Sequence, residues 1–129
     1  MTGLGDSFML PKPGHETEHL WVLITKPDPA THEAIMVSVT TQRPHSDTTT
    51  ILNVGDHPFV RKPSVIYYAD ARAVDTRLLD AAVQRGAFAA HAAFQPAVVS
   101  RIQAGVAASP FTARKIKTAY ADYAAAGLT

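Results

Sequence analysis

Short apolar runs, separated by polar segments that contain proline, fill the chain up to about Asp75. Each run is roughly 4–9 residues long and rich in β-branched side chains, which is typical of strands in a small barrel or a strongly bent sheet. The runs read SFML, HLWVLIT, EAIMVSVTT, TTTILNV and SVIYYADARAV. Because proline lacks a backbone N–H and fixes φ, the segments between the runs suit loops. The pattern therefore predicts about five strands.

Alanine becomes dominant after Asp75 and β-branched residues become fewer, which favours helices. The segment DTRLLDAAVQRG begins with aspartate and ends with glycine, the residue types expected at the two ends of a helix. A second helix is predicted from Pro96, because proline suits a first helical turn. A third is predicted from Pro110, with Ser109 as its cap.

These two sequence patterns predict one α+β domain over residues 1–129. Its β part lies in 1–75, and two or three helices in 76–129 pack on it. A chain of this length can bury a core without disulfides, and it contains no cysteine that could form one or bind a metal as thiolate. No apolar run approaches the ~20 residues of a membrane-spanning helix, and the N-terminus lacks a signal-peptide pattern. We therefore expect a soluble, cytoplasmic protein that does not bind a membrane.

Charge is unevenly distributed along the chain, although the formal net charge is only +1. Residues 1–33 contain five acidic residues against two lysines, whereas residues 34–129 contain ten lysines and arginines against six aspartates. The basic second part permits an anionic partner without requiring one. The third apolar run also ends in many hydrogen-bonding side chains, in the stretch VSVTTQRPHSD. That stretch is either a solvated turn or the floor of a binding site.

Several motifs resemble the MazF/PemK/Kid family of small barrel toxins, and they follow the family's order over roughly the first 75 residues. GDSFML at Gly5–Leu10 is similar to the opening strand of that family, which follows Gly-Asp or Gly-Glu. GHETEHLWVLIT is similar to the Gly-His-Glu loop of PemK/Kid-type members and the apolar strand after it. VSVTTQ at Val37–Gln42 is similar to the family's Pro-Ile-Thr-Thr-type strand end. SVIYYADARAVD is similar to its later strand, which ends near an Arg and an Asp.

The resemblance implies a small SH3-like β-barrel of about five strands, followed here by the predicted helices. It also implies a homodimer that cleaves single-stranded RNA without a metal or other cofactor and is neutralised by an antitoxin protein. Cleavage of this type uses the 2′-hydroxyl as the nucleophile. It therefore needs a base, a cation beside the phosphate and an acid for the leaving oxygen.

Candidate site residues follow from these needs. Histidine can act as acid or base near neutral pH, and arginine can hold a phosphate through two hydrogen bonds. The candidate proton carriers are His15, His19, His45 and His57. The predicted catalytic residues are His15, His19, Thr41 and Arg72. The predicted substrate-binding residues are Thr40, Gln42, Arg43, His57 and Tyr67. We predict no metal, because His45, Asp47, Asp56 and His57 match no known ligand spacing.

Each candidate also has a structural alternative. His15 fits a solvated loop, His19 fits a strand edge, and His57 in GDHPF fits a turn. Arg72 fits a salt bridge with Asp70 or Asp75. Tyr67 and Tyr68 point to opposite faces of one strand, so at least one of them is expected in the core.

The sequence also departs from the family pattern. His19-Leu20-Trp21 stands where the family has Arg-Pro, and Tyr67 and Ala69 stand where PemK/Kid-type members carry Arg and Asp. These departures favour an alternative function, a non-catalytic barrel that binds RNA or a protein partner. A third hypothesis makes the helical tail an oligomerisation element or a docking element for a partner.

Overall fold

The structure is a computed structural model that describes residues 2–11 and 18–129. Within these residues a curled antiparallel sheet of six strands forms half of a barrel, and three helices accompany it. The strands are β1 (Ser7–Pro11), β2 (Glu18–Leu23), β3 (Glu33–Thr41), β4 (Ile51–Leu52), β5 (Ser64–Asp75) and β6 (Ala89–His91). The helices are α1 (Thr76–Gln84), α2 (Pro96–Ala108) and α3 (Arg114–Ala125). The strand order across the sheet is β4-β5-β3-β2-β1-β6.

The α+β class is confirmed, and three helices follow the first five strands. The SH3-like topology stays a prediction. A sixth strand, β6, lies between α1 and α2 in the part predicted to be helical, and it pairs with β1 through Ser7↔His91. Alanine has no local preference for a strand, so pairing with the edge of the sheet decides its conformation. In the described part of the chain, no helix is long and apolar enough to cross a membrane.

The starts of the helices follow the sequence signals in two of three cases. The side chain of Asp75 caps α1 by accepting a hydrogen bond from the backbone N–H of Arg77, and Gly86, with a φ of 81°, follows its last turn. Pro96 opens α2 as predicted. The start predicted for α3 is wrong, because Ser109 lies at the C-terminal cap of α2 and α3 begins only at Arg114.

Because side chains alternate along each strand, the sheet has two faces, and different helices pack on each. On one face, Leu20, Val37 and Ile66 belong to the main core, which includes the buried residues of α2 and α3. On the other face, Trp21 and Met36 pack in a smaller cluster with Leu79 of α1. Because α1 is short, part of this second face remains open to solvent, and the polar strand residues lie there.

A bulge in β5 bends the sheet beside that open area. Ser38 of β3 pairs with Tyr67, and Met36 pairs with Arg72, so residues 68–71 of β5 lie opposite Val37 alone. Extra residues in one strand increase its local bend and change where its side chains point.

A buried polar contact joins β5 to α2 on the main-core face. The hydroxyl of Tyr68 donates to the carbonyl of Ile102 at 2.6 Å and lies 2.7 Å from the hydroxyl of Thr50. Burial raises the pKa of Tyr68 to about 12. Gly105 leaves the space for this ring, because a Cβ built there would lie 1.9 Å from the Tyr68 hydroxyl oxygen.

Candidate functional site

A groove of ≈ 530 Å³ opens on the face of the sheet opposite α2 and α3. Its side chains come from β2, β3, β5 and the segment that follows β3. We call it the polar groove. The residues used below that line it are His19, Trp21, Ser38, Thr40, Thr41, Arg43, His45, Ser46, Asp47, Tyr67 and Asp70.

The period of two in the strands explains the floor of the polar groove. Residues two apart in a strand share a face, so His19 lies on the same side as Trp21, and Ser38 on the same side as Thr40. Strand pairing then places these residues next to one another. The pairs are Trp21↔Ser38, Ser38↔Tyr67 and Thr40↔Val65. Residues far apart in sequence therefore meet in one floor.

A tight turn after β3 forms one wall of the groove. The backbone N–H of Ser46 donates to the carbonyl of Arg43 at 3.1 Å, and the N–H of Arg43 donates to the Ser46 hydroxyl at 2.8 Å. Pro44 occupies the second position of this turn, where its fixed φ is favourable. Both Arg43 and His45 line the groove and are exposed to solvent.

Asp47 fixes the end of this wall. Its carboxylate accepts hydrogen bonds from the Ser109 hydroxyl at 2.6 Å and from the hydroxyl and the N–H of Thr49, at 2.6 Å and 3.0 Å. Burial alone would raise the pKa of Asp47, but these hydrogen bonds outweigh burial and lower it below its usual value. The carboxylate is therefore ionised at neutral pH, and it connects the groove wall to the end of α2.

Arg72 and Asp70 form an ion pair at the edge of the groove. Their closest atoms, Nη2 and Oδ1, lie 2.6 Å apart, and the guanidinium carbon lies 5.0 Å from the ring centroid of Trp21. Asp70 and Trp21 line the groove, and Arg72 contacts both of them from its edge. The structural alternative stated for Arg72, a salt bridge with Asp70, is therefore what the structure contains.

The structure brings together five of the nine predicted site residues. These five line the polar groove: His19, Thr40, Thr41, Arg43 and Tyr67. Gln42 is exposed, and its backbone N–H donates to the carbonyl of Pro63 at 3.1 Å. His15 lies outside the described residues.

His57 is buried away from the groove, with 3% of its surface exposed. Its Nδ1 accepts from the N–H of Phe59 at 3.0 Å, its Nε2–H donates to the carbonyl of Ala92 at 2.6 Å, and its ring stacks on Phe94 at 4.2 Å. Burial lowers the pKa of His57, and the nearby His91 lowers it further, although the bond to Ala92 acts in the opposite direction. His57 therefore holds the β4–β5 loop against the segment after β6.

Sequence reasoning missed Ser38 and Asp70 as groove residues. Ser38 stands between Val37 and Val39, both buried, so its period-two relation to Thr40 could have placed it on the open face. No local signal could have placed Asp70, because the bulge in β5 sets its direction. Within residues 2–11 and 18–129, no three His, Asp or Glu side chains are arranged to hold a metal ion.

No protein-family model matches this chain, and no curated protein matches it. The resemblance to the MazF/PemK/Kid family therefore rests on the quoted motifs alone. Function has to be argued from the groove itself.

Proposed function

We propose that the polar groove binds single-stranded RNA and cleaves it without a metal, as a MazF/PemK-like endoribonuclease. One observation carries the proposal: His19, Arg43 and His45 line the same groove, beside the hydroxyls of Thr40 and Thr41. The two imidazoles can serve as acid and base, the guanidinium is the cation, and the hydroxyls are neutral donors. These are the groups that the reaction needs.

The proposed reaction is an internal attack by the RNA. The 2′-hydroxyl oxygen bonds to the adjacent phosphorus while one imidazole takes its proton. The bond from phosphorus to the 5′ oxygen breaks, and the second imidazole, which is protonated, gives its proton to that oxygen. The products are a 2′,3′-cyclic phosphate and a 5′-hydroxyl. Arg43 neutralises the charge that develops on the phosphate oxygens, and Thr41 donates a hydrogen bond to them.

The position of Arg43 supports binding of an anion in the groove. Of its two carboxylates, Asp70 is paired with Arg72, and Asp47 accepts hydrogen bonds from Ser109 and Thr49. Arg43 has no carboxylate at ion-pair distance in the part of the chain that the structure describes. Its guanidinium is therefore the strongest site for a phosphate in this groove.

The shape of the groove supports binding of an unpaired nucleotide. A volume of ≈ 530 Å³ lies within the range of roughly 300–1,000 Å³ found for small-ligand sites. Tyr67 is 41% exposed at its floor, so its ring can stack against a base. His19 lines the same floor from β2.

A second candidate is a non-catalytic module that binds RNA or a protein partner, and the state of Arg72 favours it. The arginine that matches the family motif is already paired with Asp70 and stacked on Trp21. Such a module would bind RNA through Arg43 and Tyr67 and leave it intact. A homodimer and an antitoxin partner are further proposals from the resemblance. The mass of the protein in solution tests the first, and co-purification with an acidic partner tests the second.

The deciding experiment incubates the full chain with single-stranded RNA in EDTA. The variants are His19→Gln, His45→Gln and Arg43→Ala, each expected to slow cleavage on the order of 10²-fold. His91→Gln is the matched control, because His91 is exposed on β6 and does not line the polar groove.

A substrate with one 2′-deoxynucleotide at the cut position distinguishes the two candidates. Under the first, it binds with unchanged affinity and is not cut, and the uncut site shows that the 2′-oxygen is the nucleophile. Binding of RNA with no cleavage by the wild-type protein supports the non-catalytic module. Cleavage that His19→Gln, His45→Gln and Arg43→Ala all leave unchanged contradicts the assignment of the groove.

A further inference from the structure

We propose that the bound RNA strand leaves the polar groove across a basic corner formed by Arg43, Arg61 and Lys62. The proposal rests on the proposed function and narrows its substrate class. The ligand is a single strand that continues past the groove, not an isolated nucleotide.

Strand pairing places the three residues of the basic corner at one end of the sheet. Thr41, the last residue of β3, pairs with Ser64, the first residue of β5. The backbone N–H of Gln42 then donates to the carbonyl of Pro63 at 3.1 Å, so the pairing continues beyond the strands. Arg43 therefore lies next to the segment of Arg61 and Lys62.

Two hydrogen bonds to backbone carbonyls fix the segment of Arg61 and Lys62. The hydroxyl of Ser64, which is buried, donates to the carbonyl of Lys62 at 3.0 Å. On the other side of the segment, the N–H of Val60, also buried, donates to the carbonyl of His57 at 2.9 Å. The two basic side chains between these points are exposed on a fixed backbone.

In the described part of the chain, no carboxylate lies at ion-pair distance from the basic corner. Arg43, Arg61 and Lys62 are all exposed, and across residues 2–11 and 18–129 none of them forms an ion pair. An RNA strand that neutralises them releases counterions, which favours binding.

The opposite end of the same strands is acidic. Glu33, the first residue of β3, lies opposite Asp75, the last residue of β5, and Asp28 lies on the segment before them. The carboxylate of Asp75 forms an ion pair with Arg77, so Glu33 and Asp28 carry the acidic character of this end. Eight steps of about 3.3 Å separate the two ends of β3, or roughly 26 Å, which exceeds two Debye lengths of about 10 Å. The acidic end therefore does not screen the basic corner.

Fluorescence anisotropy with two labelled oligouridylates, a trinucleotide and a nonanucleotide, tests the proposal. Both carry 2′-O-methyl groups, which prevent cleavage. The variant is Arg61→Ala with Lys62→Ala, and the matched control is Arg114→Ala with Lys115→Ala. The control removes the same charge from α3, which packs on the opposite face of the sheet. Thermal unfolding of both variants checks that they are folded.

We expect the corner variant to weaken binding of the nonanucleotide roughly tenfold and to reduce its salt slope by about 1.4, at ~0.7 for each lost phosphate contact. Binding of the trinucleotide stays unchanged, and the control changes neither. An equal loss of affinity for the nonanucleotide in the corner variant and the control overturns the proposal. No loss of affinity in either variant overturns it as well. A wild-type protein that binds neither oligonucleotide overturns the proposed function itself.

Discussion

Tyr67 and Tyr68 are neighbours in β5, yet they belong to two different regions of the molecule. Tyr68 is fully buried, and its hydroxyl is hydrogen-bonded to Thr50 and Ile102. Tyr67 is 41% exposed and lines the polar groove. A step of one residue therefore separates the helix-covered face of the sheet from its open face.

The same strands therefore carry two faces of different chemical character. On the helix-covered face, apolar side chains are closed off by α2 and α3, and the polar atoms of Tyr68 are satisfied internally. On the open face, hydroxyls, imidazoles and a guanidinium remain accessible. We therefore expect substitutions on the first face to change stability, and substitutions on the second to change RNA binding.

The largest expected loss of stability is for Gly105→Ala. Its Cβ would lie 1.9 Å from the Tyr68 hydroxyl oxygen and 2.5 Å from that of Thr50, so β5 and α2 must separate. We expect the free energy of unfolding to fall by about 3 kcal/mol, as measured by urea denaturation. Gly3→Ala is the matched control, because nothing lies within 4 Å of a Cβ at Gly3. Equal stability of the two variants would show that this contact is not closely packed.

The two tyrosines give the sharpest test of the difference between the faces. Tyr68→Phe removes the hydroxyl that Ile102 and Thr50 contact. We expect the free energy of unfolding to fall by about 1–3 kcal/mol. Tyr67→Ala is expected to lower the free energy of unfolding by about 1 kcal/mol, because its ring is only partly exposed. It is expected to weaken RNA binding by about 1–3 kcal/mol, because a stacking ring is lost. Urea denaturation and anisotropy measure the two effects, and the reverse pattern would contradict the account.

Ser109 connects the end of α2 to the wall of the polar groove. Its hydroxyl is fully buried at the end of α2 and donates to Asp47 in the groove wall at 2.6 Å. We expect Ser109→Ala to lower the free energy of unfolding by about 1 kcal/mol. Amide hydrogen exchange at Thr49 should become faster, because the carboxylate that holds its N–H is less fixed. Unchanged exchange at Thr49 would show that the wall holds its position without α2.

His57 predicts a pH dependence that belongs to the fold and not to the groove. Its pKa in the folded protein lies below the ordinary value of 6.5, so the unfolded chain binds more protons between the two values. Stability therefore decreases as the pH falls through 6.5, by at most ~1.4 kcal/mol per pH unit, until the pKa of the folded state is reached. Thermal unfolding between neutral and acidic pH measures it. His57→Gln keeps a donor for Ala92 and should remove this part of the dependence, and an unchanged profile would assign it to other groups.

Local signals in the sequence predicted much of the fold. Asp75 and Gly86 delimit α1 because helix caps depend on neighbouring residues. Strand β6 carries no such signal, since only its pairing with β1 makes it a strand. The start of α3 was misplaced because Pro110 and Ser109 match a helix start as well as the end of the preceding helix.

The candidate site was predictable where neighbours in sequence are also neighbours in space. Thr40, Thr41 and Arg43 follow one another at the end of β3, and all three line the groove. The burial of His57 was not predictable, because its partners Ala92 and Phe94 lie 35 or more residues away. The pairing of Arg72 with Asp70 was stated as an alternative, and the bulge in β5 could not be read from the sequence.

If the open face of the sheet binds RNA, titration with a 2′-O-methyl oligouridylate should shift the amide NMR signals of residues in the polar groove. We expect the shifts to concentrate at Thr40, Thr41, Arg43, His45 and Tyr67. The amide signals of α2 and α3 should shift little, whereas that of Ser109, which follows α2, can shift. Shifts that concentrate on α2 and α3, or no shifts at any amide, would contradict the account.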